Sequence, residues 1–336
     1  MLVCFRAYAH HRTEVGKALR TRTIAITDCD HVSMDEEKKV FAENGVKMDV
    51  YQCRTEDDLI SSIRDYAVVG NQYAPLTERV FSRLDNLKLV VRYGVGVDNI
   101  DVEAASRHGI RVCNVPDYGV QEVSAHALAL MMALTRKLFV LDRSVRRGEW
   151  NYETGIPIAR YSEQTIGIVG LGRIGKNFAQ LVRPLKSRVI AFDPLYPDTA
   201  PDELSFVEMT SLEELLRTSD AVSVHCPLDN AYHLIGKAEI GMMKKNAFLI
   251  NVARGGIVDE DALEEALREG RIAGAACDVL EQEPPRGKHP LTRYDNFICT
   301  PHAAWYSMES SGDLKRKLAE EIVRYLDGEA LLYALN

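Results

Sequence analysis

Short apolar runs alternate with charged, amphipathic segments along this chain from residue 23 onward. The first series has strand-like runs at 23–27, 46–51, 67–69 and 87–91, with helix-like segments at 34–44, 56–63 and 77–84. The second series has strand-like runs at 165–170, 188–192, 221–225, 247–252, 272–277 and 297–300. Strands that alternate with helices predict parallel sheets with helices on their faces, so the two series indicate two α/β domains.

The most regular helical pattern lies between the two series, over residues 120–147. Its apolar positions are three or four residues apart: Val123, Ala127, Leu130, Leu134, Leu138, Leu141 and Val145. This spacing predicts a single helix with a continuous apolar stripe of about six turns. The stripe either packs on the helix's own domain or forms a subunit interface, and the pattern alone leaves both open.

Composition narrows the class of protein. The chain has 336 residues, of which 46% are apolar and 27% charged, as in folded globular proteins. Lys and Arg number 41 against 49 for Asp and Glu, a balance that argues against a nucleic-acid binder and against attraction to anionic membranes. No apolar run approaches the roughly 20 residues of a membrane span.

Residues 1–22 differ from the rest, with five basic residues against one acid, Glu14. They are expected to form an N-terminal extension outside the folded domains, with an organellar transit peptide as the alternative. The seven cysteines are scattered and contain no C-x-x-C pair. Cysteines of this kind are typical of buried side chains in a reducing compartment, so a cytoplasmic protein is expected.

A glycine-rich motif follows the first strand of the second series. Gly170, Gly172 and Gly175 form G-x-G-x-x-G between the strand at 165–170 and a helical segment at 176–185. These glycines allow a tight turn, close approach of backbone to a pyrophosphate, and close helix–strand packing. The motif in this context predicts a dinucleotide site.

Asp193 ends the next strand, 23 residues after Gly170. A carboxylate there can accept hydrogen bonds from both ribose hydroxyls of the adenosine and would repel a 2′-phosphate, which favours NAD over NADP. Arg173 lies within the glycine turn. It either supplements the amides at the pyrophosphate or is a solvated surface arginine.

Three charged side chains lie just after predicted strands of the second series: Arg254, Glu283 and His302. Ligands of open parallel sheets bind beyond the carboxyl ends of the strands, so these side chains are expected to converge. An arginine can hold a carboxylate by two hydrogen bonds, and a histidine beside a carboxylate can transfer a proton. Each also has an ordinary structural explanation, as a capping arginine, a loop acid or a buried histidine.

Several motifs together resemble those of the D-isomer-specific 2-hydroxyacid dehydrogenases, over about residues 23–330. The matching segments are Arg92-Tyr-Gly-Val-Gly-Val-Asp-Asn-Ile-Asp101, Asn114-Val-Pro, Gly167 to Gly175, His225-Cys-Pro-Leu228, Asn251-Val-Ala-Arg-Gly-Gly256, Asp278 to Pro284, and Thr300-Pro-His302. The fourth segment departs from many members, because Asp229 and Asn230 stand where threonine is common.

The resemblance implies a role for each matching residue. Arg254 would bind the substrate carboxylate, His302 would be the acid/base, and Glu283 would be its partner. The cofactor contacts it implies are Gly170, Gly172, Arg173, Ile174, Gly175, Asp193 at the ribose, His225, Pro227, Val252, Ala253, Arg254, Asp278 at the nicotinamide carboxamide, and His302. The substrate contacts are Arg92, Val95, Gly96, Arg254, His302 and Trp305, and no metal is expected.

The segment from Thr300 to Ser307 is most similar to the C-terminal-binding-protein corepressors and their bacterial relatives. In that branch the tryptophan three residues after the histidine lines the substrate pocket. Trp305 then favours a 2-keto acid with an apolar or thioether side chain, unless it only packs the domain junction.

The resemblance also implies a fold and a function. A Rossmann NAD-binding domain, 100–302, is expected to be inserted into a smaller flavodoxin-like substrate domain, 23–99 plus 303–336, with hinges near Asn99 and His302. The expected activity is NAD-dependent hydride transfer at C2 of phosphoglycerate, hydroxypyruvate or glyoxylate, or an apolar keto acid, in a homodimer formed through 120–147. The alternative is a corepressor-like binding protein that senses NAD(H).

Overall fold

A computed structural model describes residues 22–336, so the predicted N-terminal extension lies outside the described residues except for Arg22. The chain divides into two compact units. The first contains the residues up to Tyr118 together with Ser307–Asn336, and the second is Gly119–Tyr306. The second unit is therefore inserted between two segments of the first.

The first unit is built on a five-stranded parallel sheet. Its strands are β1 (Thr23–Ile26), β2 (Lys47–Val50), β3 (Val68–Asn71), β4 (Leu89–Arg92) and β5 (Arg111–Cys113), in the order β2-β1-β3-β4-β5. Its helices are α1 (Asp35–Glu43), α2 (Glu56–Ser62), α3 (Glu78–Phe81), α4 (Val102–Arg107) and, from the C-terminal segment, α11 (Met308–Leu326). This strand order is the flavodoxin-like one.

The second unit contains a seven-stranded parallel sheet in the order β12-β11-β10-β9-β6-β7-β8. Its strands are β6 (Thr165–Val169), β7 (Arg188–Phe192), β8 (Val207–Met209), β9 (Ala221–Val224), β10 (Phe248–Asn251), β11 (Gly274–Cys277) and β12 (Phe297–Cys299). Its helices are α5 (Val120–Thr135), α6 (Leu138–Arg146), α7 (Arg173–Val182), α8 (Leu212–Thr218), α9 (Lys237–Met242) and α10 (Glu260–Arg268). The order reverses direction between β6 and β9, as in a doubly wound dinucleotide fold.

Both sheets confirm the predicted α/β class with two doubly wound parallel sheets. Strands of such sheets are buried on both faces, which explains why the central strands read as nearly continuous apolar runs. The sequence pattern missed β5 and β8, the outermost strands at one end of each sheet. Each has only three residues, too few to show a periodic pattern.

The crossings between the units lie at Tyr118 and Tyr306 rather than near Asn99 and His302. The reason for the first shift is β5, which pairs with β4 and so keeps residues 100–118 with the first sheet. At the second crossing, the whole loop around His302 stays with the seven-stranded sheet.

The single helix predicted over 120–147 is wrong, because α5 and α6 are separate helices bent by 59°. The break is at Lys137, which adopts a left-handed φ of 54°. Leu130 and Leu134 are buried in α5, but Leu138 and Val145 in α6 are about half exposed, so the apolar stripe does not continue on one face. Among the described residues no single helix is long and apolar enough to cross a membrane, and α5 with α6 meets that test only as a bent pair.

Candidate active site

Most of the predicted cofactor residues follow neighbouring strands of the seven-stranded sheet. Asp193 follows β7, the glycine motif follows β6, His225 follows β9, and Arg254 and Asp278 follow β10 and β11. Because parallel strands end at the same edge, these residues share one edge of the second unit. The structure therefore brings together the cofactor residues predicted in this unit.

The glycine motif forms the turn between β6 and α7. Gly170 has a φ of 93°, and a Cβ there would come within 2.6 Å of the backbone nitrogen of Cys226. A Cβ on Gly175 would overlap the carbonyl of Gly170. Nothing lies within 4 Å of the corresponding position on Gly172, so two glycines are required by packing and the third leaves an open face at the start of α7.

That open face fits a pyrophosphate. The first amides of a ten-residue helix, α7, have no intrahelical partners and attract negative charge. Arg173, the first residue of α7, is exposed beside them. The backbone and the helix terminus thus supply the donors that a dinucleotide phosphate requires.

Asp193 ties the end of β7 to the glycine turn. Its two carboxylate oxygens accept hydrogen bonds from the amides of Leu171, at 2.6 Å, and Leu195, at 2.8 Å. Each carboxylate oxygen has a second acceptor position. The half-buried carboxylate therefore still has the capacity to accept ribose hydroxyls.

The ring of His225 lies in the interior. Its Nε2 is 2.9 Å from the hydroxyl of Ser223, and the ring packs against Phe178. Burial lowers the pKa of His225 to about 3, so the ring is neutral near pH 7. The residue contributes to the site through its backbone, which lies against Gly170, rather than through a charged side chain.

Arg254 is presented by a turn that Asn251 builds at the end of β10. The side-chain amide of Asn251 donates to the carbonyl of Arg254 at 2.8 Å, and its carbonyl oxygen accepts from Ala253 at 3.1 Å. At Gly255 a Cβ would overlap the backbone of Leu280. The Arg254 turn therefore packs directly on the loop that carries Glu283.

Glu283 and His302 form a hydrogen-bonded pair. Glu283 Oε2 is 2.6 Å from His302 Nδ1, and Glu283 Oε1 accepts from the amide of Leu280 at 2.7 Å. Burial alone would raise the pKa of Glu283, but the hydrogen bond and charge of His302, the Leu280 amide and nearby Arg254 together hold that pKa below its usual value. The carboxylate stays ionised and fixes Nδ1, which leaves His302 Nε2 for a reacting group.

Asp278 is almost fully buried and organises the loop around His302. Its carboxylate accepts the hydroxyl of Thr300 at 2.6 Å and the amides of Ala303 and Ala304 at 2.9 Å each. Its carbonyl accepts the amide of His302 at 2.8 Å. These contacts cannot be predicted from sequence motifs, because the backbone partners of an aspartate are defined only once the loop has folded.

Three of the predicted substrate residues lie in the first unit. The guanidinium of Arg92, at the end of β4, lies directly over Gly94. The turn is held by Asn114, whose side chain donates to the carbonyl of Val95 at 2.7 Å. Arg92, Val95 and Gly96 therefore belong to one ordered turn that leaves Val95 exposed.

Trp305, the remaining substrate candidate, lies in the second unit. Its backbone is close to Gly119, within 3.4 Å of a Cβ built there, and its ring makes an edge contact with Tyr306. The side chain is half-buried.

Residues 128–304 match the family model of the NAD-binding domain of D-isomer-specific 2-hydroxyacid dehydrogenases. The chain belongs to this family. The match confirms the resemblance based on the sequence motifs, and it covers the glycine turn, Arg254, Glu283 and His302. The narrower likeness to the corepressor branch stays a prediction.

Named relatives of this dehydrogenase family support the same conclusion. The chain is 37% identical over 296 residues to a D-3-phosphoglycerate dehydrogenase of Archaeoglobus fulgidus, covering 88% of this chain and 56% of that protein. It is 38% identical over 276 residues to a glyoxylate reductase of Korarchaeum cryptofilum, covering 81% of this chain and 83% of that protein. The chain thus spans little more than half the length of the first relative.

A solved member of the family shares the fold. The D-lactate dehydrogenase of Aquifex aeolicus, solved with NAD and lactic acid, superposes with a TM-score of 0.83 at 26% identity. The alignment covers 91% of this chain and 96% of that one.

Proposed function

We propose that this protein is an NAD-dependent D-2-hydroxyacid dehydrogenase that transfers hydride between nicotinamide and C2 of a 2-keto or 2-hydroxy acid. The observation that carries the proposal is the pair of Glu283 and His302 beside the Arg254 turn. An acid/base, its ionised partner and a carboxylate-binding cation are the groups that this reaction requires. They stand on the same sheet edge as the glycine turn.

Arg254, His302 and Glu283 have separate roles in the reduction of the keto acid. Arg254 holds the substrate carboxylate and orients the keto carbon. His302 Nε2 donates a proton to the oxygen that becomes the hydroxyl, while Glu283 stabilises the imidazolium from the Nδ1 side. NAD, when bound, supplies or accepts the hydride. Oxidation requires the neutral histidine as a base, so the two directions have opposite pH dependence.

The cofactor choice rests on Asp193. Its carboxylate is fixed by two backbone amides at the end of β7, where a 2′-phosphate would place a second negative charge. Other cofactor contacts that we propose from the family motifs are Ile174, Pro227, Val252, Ala253 and, at the nicotinamide carboxamide, Asp278.

The substrate class is a small 2-keto acid. The amides at Val95 and Gly96, with Arg92 beside them, are proposed to contact the substrate from the first unit. Trp305 favours an apolar or thioether side chain, whereas Arg92 suits an anionic one. Phosphoglycerate, hydroxypyruvate, glyoxylate and apolar keto acids are therefore the compounds to compare.

An NADH-oxidation screen across those 2-keto acids tests the proposal. The expected result is turnover of at least one acid with NADH, and weaker turnover of the same acid with NADPH. The corepressor-like alternative predicts instead that a protein partner binds in response to NADH without turnover of any acid. The hydrogen-bonded Glu283–His302 pair favours the enzyme.

A cytoplasmic homodimer is proposed for the assembled protein. Its support is an exposed apolar surface in the second unit, formed by Leu138, Phe139, Val145, Trp150 and Tyr152. Large exposed apolar patches on a protein surface mark interaction sites. The six cysteines of the described region are free thiols, as expected in a reducing compartment.

A further inference from the structure

His302 occupies an unusual backbone conformation for a residue other than glycine. Its φ is 51°, in the left-handed region. This conformation costs energy and persists only where neighbouring groups hold it. Contacts from neighbouring side chains must therefore stabilise the loop that carries His302.

The first such group is the carboxylate of Asp278, which binds on both sides of His302. It accepts a hydrogen bond from the hydroxyl of Thr300 on one side of His302, and from the amides of Ala303 and Ala304 on the other. The orientation of this carboxylate therefore determines the path of the loop. Any contact that fixes the carboxylate also fixes the loop.

The hydroxyl of Thr300 connects Asp278 to a residue of α5. Thr300 Oγ1 lies 2.6 Å from Asp278 Oδ1 and 3.0 Å from His126 Nε2. A threonine hydroxyl has a single hydrogen, and the buried carboxylate can only accept it. His126 must therefore donate its Nε2 hydrogen to Thr300, which determines the ring tautomer when His126 is neutral.

Helix α5 gives this hydrogen-bond chain a rigid support. It packs against α7 and against strands β10 and β11, and Ala127 and Leu130 are buried beside His126. His126 Nε2 also lies 3.7 Å from Asp278 Oδ1, so a protonated ring would attract the carboxylate directly. Consecutive hydrogen bonds in a poorly solvated site strengthen one another.

We propose that His126 and Thr300 are positioning residues that hold, through Asp278, the loop on which His302 reaches the substrate. The inference rests on the proposed dehydrogenase function. His126 and Thr300 do not react themselves. They set the direction of His302 Nε2 relative to the substrate oxygen, so their loss should slow proton transfer.

Paired variants of the full chain test this proposal. Thr300→Val removes the hydroxyl at nearly constant shape, whereas Thr300→Ser retains it. His126→Leu removes the donor, whereas His126→Gln places an amide near the position of Nε2. His108→Leu, at an exposed histidine after α4 in the first unit, is the control for loss of a histidine.

Thr300→Val and His126→Leu are expected to lower kcat by about tenfold or more at saturating NADH, since a small misplacement of a reacting group has that effect. Thr300→Ser and His126→Gln should keep most of the native kcat, and in all four variants NADH affinity should change less than kcat. Slower proton transfer should also increase the solvent deuterium isotope effect on kcat. The double variant Thr300→Val/His126→Leu should be no slower than the slower single variant, because both act on one chain.

Equal kcat values for Thr300→Val and Thr300→Ser, or for His126→Leu and His126→Gln, would overturn the proposal. So would losses that multiply in the double variant, or a loss confined to NADH affinity. If Thr300→Val does not fold, the two His126 variants decide. Absence of turnover in the unaltered protein would overturn the proposed function instead. In that event ¹⁵N-histidine NMR still decides, because the proposal requires an Nε2 hydrogen on His126 whose signal shifts in Thr300→Val.

Discussion

At the scale of single residues, the geometry of the candidate site depends on the hydrogen bonds and charges around Glu283 and Asp278. Glu283 is ionised because the interactions from His302, Leu280 and Arg254 outweigh its burial. Asp278 is a predicted cofactor contact, yet its carboxylate is already used by Thr300, Ala303 and Ala304. The positions of the reacting groups therefore follow from hydrogen bonds that the sequence does not display.

Replacing Glu283 with Gln tests the electrostatic role of this carboxylate. The pKa of Glu283 is lowered, so its charge is present above the ordinary carboxyl range and is lost only as the pH falls through its depressed pKa. Near neutral pH the variant lacks a charge that the native protein has. Without it the imidazolium is less stable, and the alkaline fall of reductase activity should move to lower pH.

The pH dependence of kcat/KM for both proteins measures this effect. An unchanged alkaline limb in Glu283→Gln would show that the carboxylate does not support the protonated histidine.

Asp193→Asn tests cofactor choice. Asparagine removes the negative charge and keeps an acceptor for one of the two backbone amides, that of Leu171 or that of Leu195. The ratio of kcat/KM for NADPH to that for NADH should rise by about tenfold or more, since the repulsion between two unit charges about 4 Å apart is worth about 1–4 kcal/mol between bulk water and a protein surface, and about 1.4 kcal/mol corresponds to a factor of ten. A ratio that does not change would remove the basis for preferring NAD.

At the scale of elements, the site requires turns that pack without side chains. The 3₁₀ turn Gly255–Ile257 lies against the backbone of Leu280 and links the Arg254 turn to the Glu283 loop. Gly255, Gly256 and Ile257 are all buried, so the turn has little room to move away from Leu280.

Gly255→Ala should destabilise the protein by about 1–3 kcal/mol or more, because the new methyl group overlaps backbone that cannot rotate away. Gly241→Ala is the matched control. Gly241 is exposed in α9 with no atom within 4 Å of a built Cβ, so alanine should be neutral or stabilising by up to about 1 kcal/mol. Urea unfolding of both variants measures the difference, and equal stabilities would contradict the packing described for this turn.

The elements also show what sequence patterns can predict. The strand predicted at 188–192 matches β7 residue for residue, because it is a buried apolar run bounded by polar residues. The helix predicted over 120–147 fails at Lys137, where a left-handed residue ends one helix and starts another. The three- and four-residue spacing of apolar positions continues across the break, so this spacing cannot show where one helix ends and the next begins. The chain of His126, Thr300 and Asp278 was equally invisible, because its members are far apart in sequence.

At the scale of the whole molecule, the chain is organised as one unit inserted in another. The motifs predicted this arrangement but placed the crossings too early, at 99 and 302. The side chains proposed for proton transfer and carboxylate binding, Arg254, Glu283 and His302, belong to the inserted unit. Arg92, Val95 and Gly96 belong to the other.

The proposed homodimer makes a prediction at this scale. Phe139 is 45% exposed within the apolar surface around α6, and Phe139→Glu should convert a dimer to a monomer by placing a charge in the interface. Val32→Glu, at a fully exposed position in the first unit, should leave the protein dimeric. Light scattering after size exclusion gives both masses. A monomeric native protein would contradict the proposal.

The central claim is that His302 exchanges a proton with a 2-keto acid while hydride is transferred. The most direct test compares the native protein with His302→Ala in NADH-dependent reduction of the best acid. We expect kcat to fall by about 10²–10⁴-fold with NADH affinity retained, as is usual when a general acid is removed. Near-native turnover by His302→Ala would contradict the account.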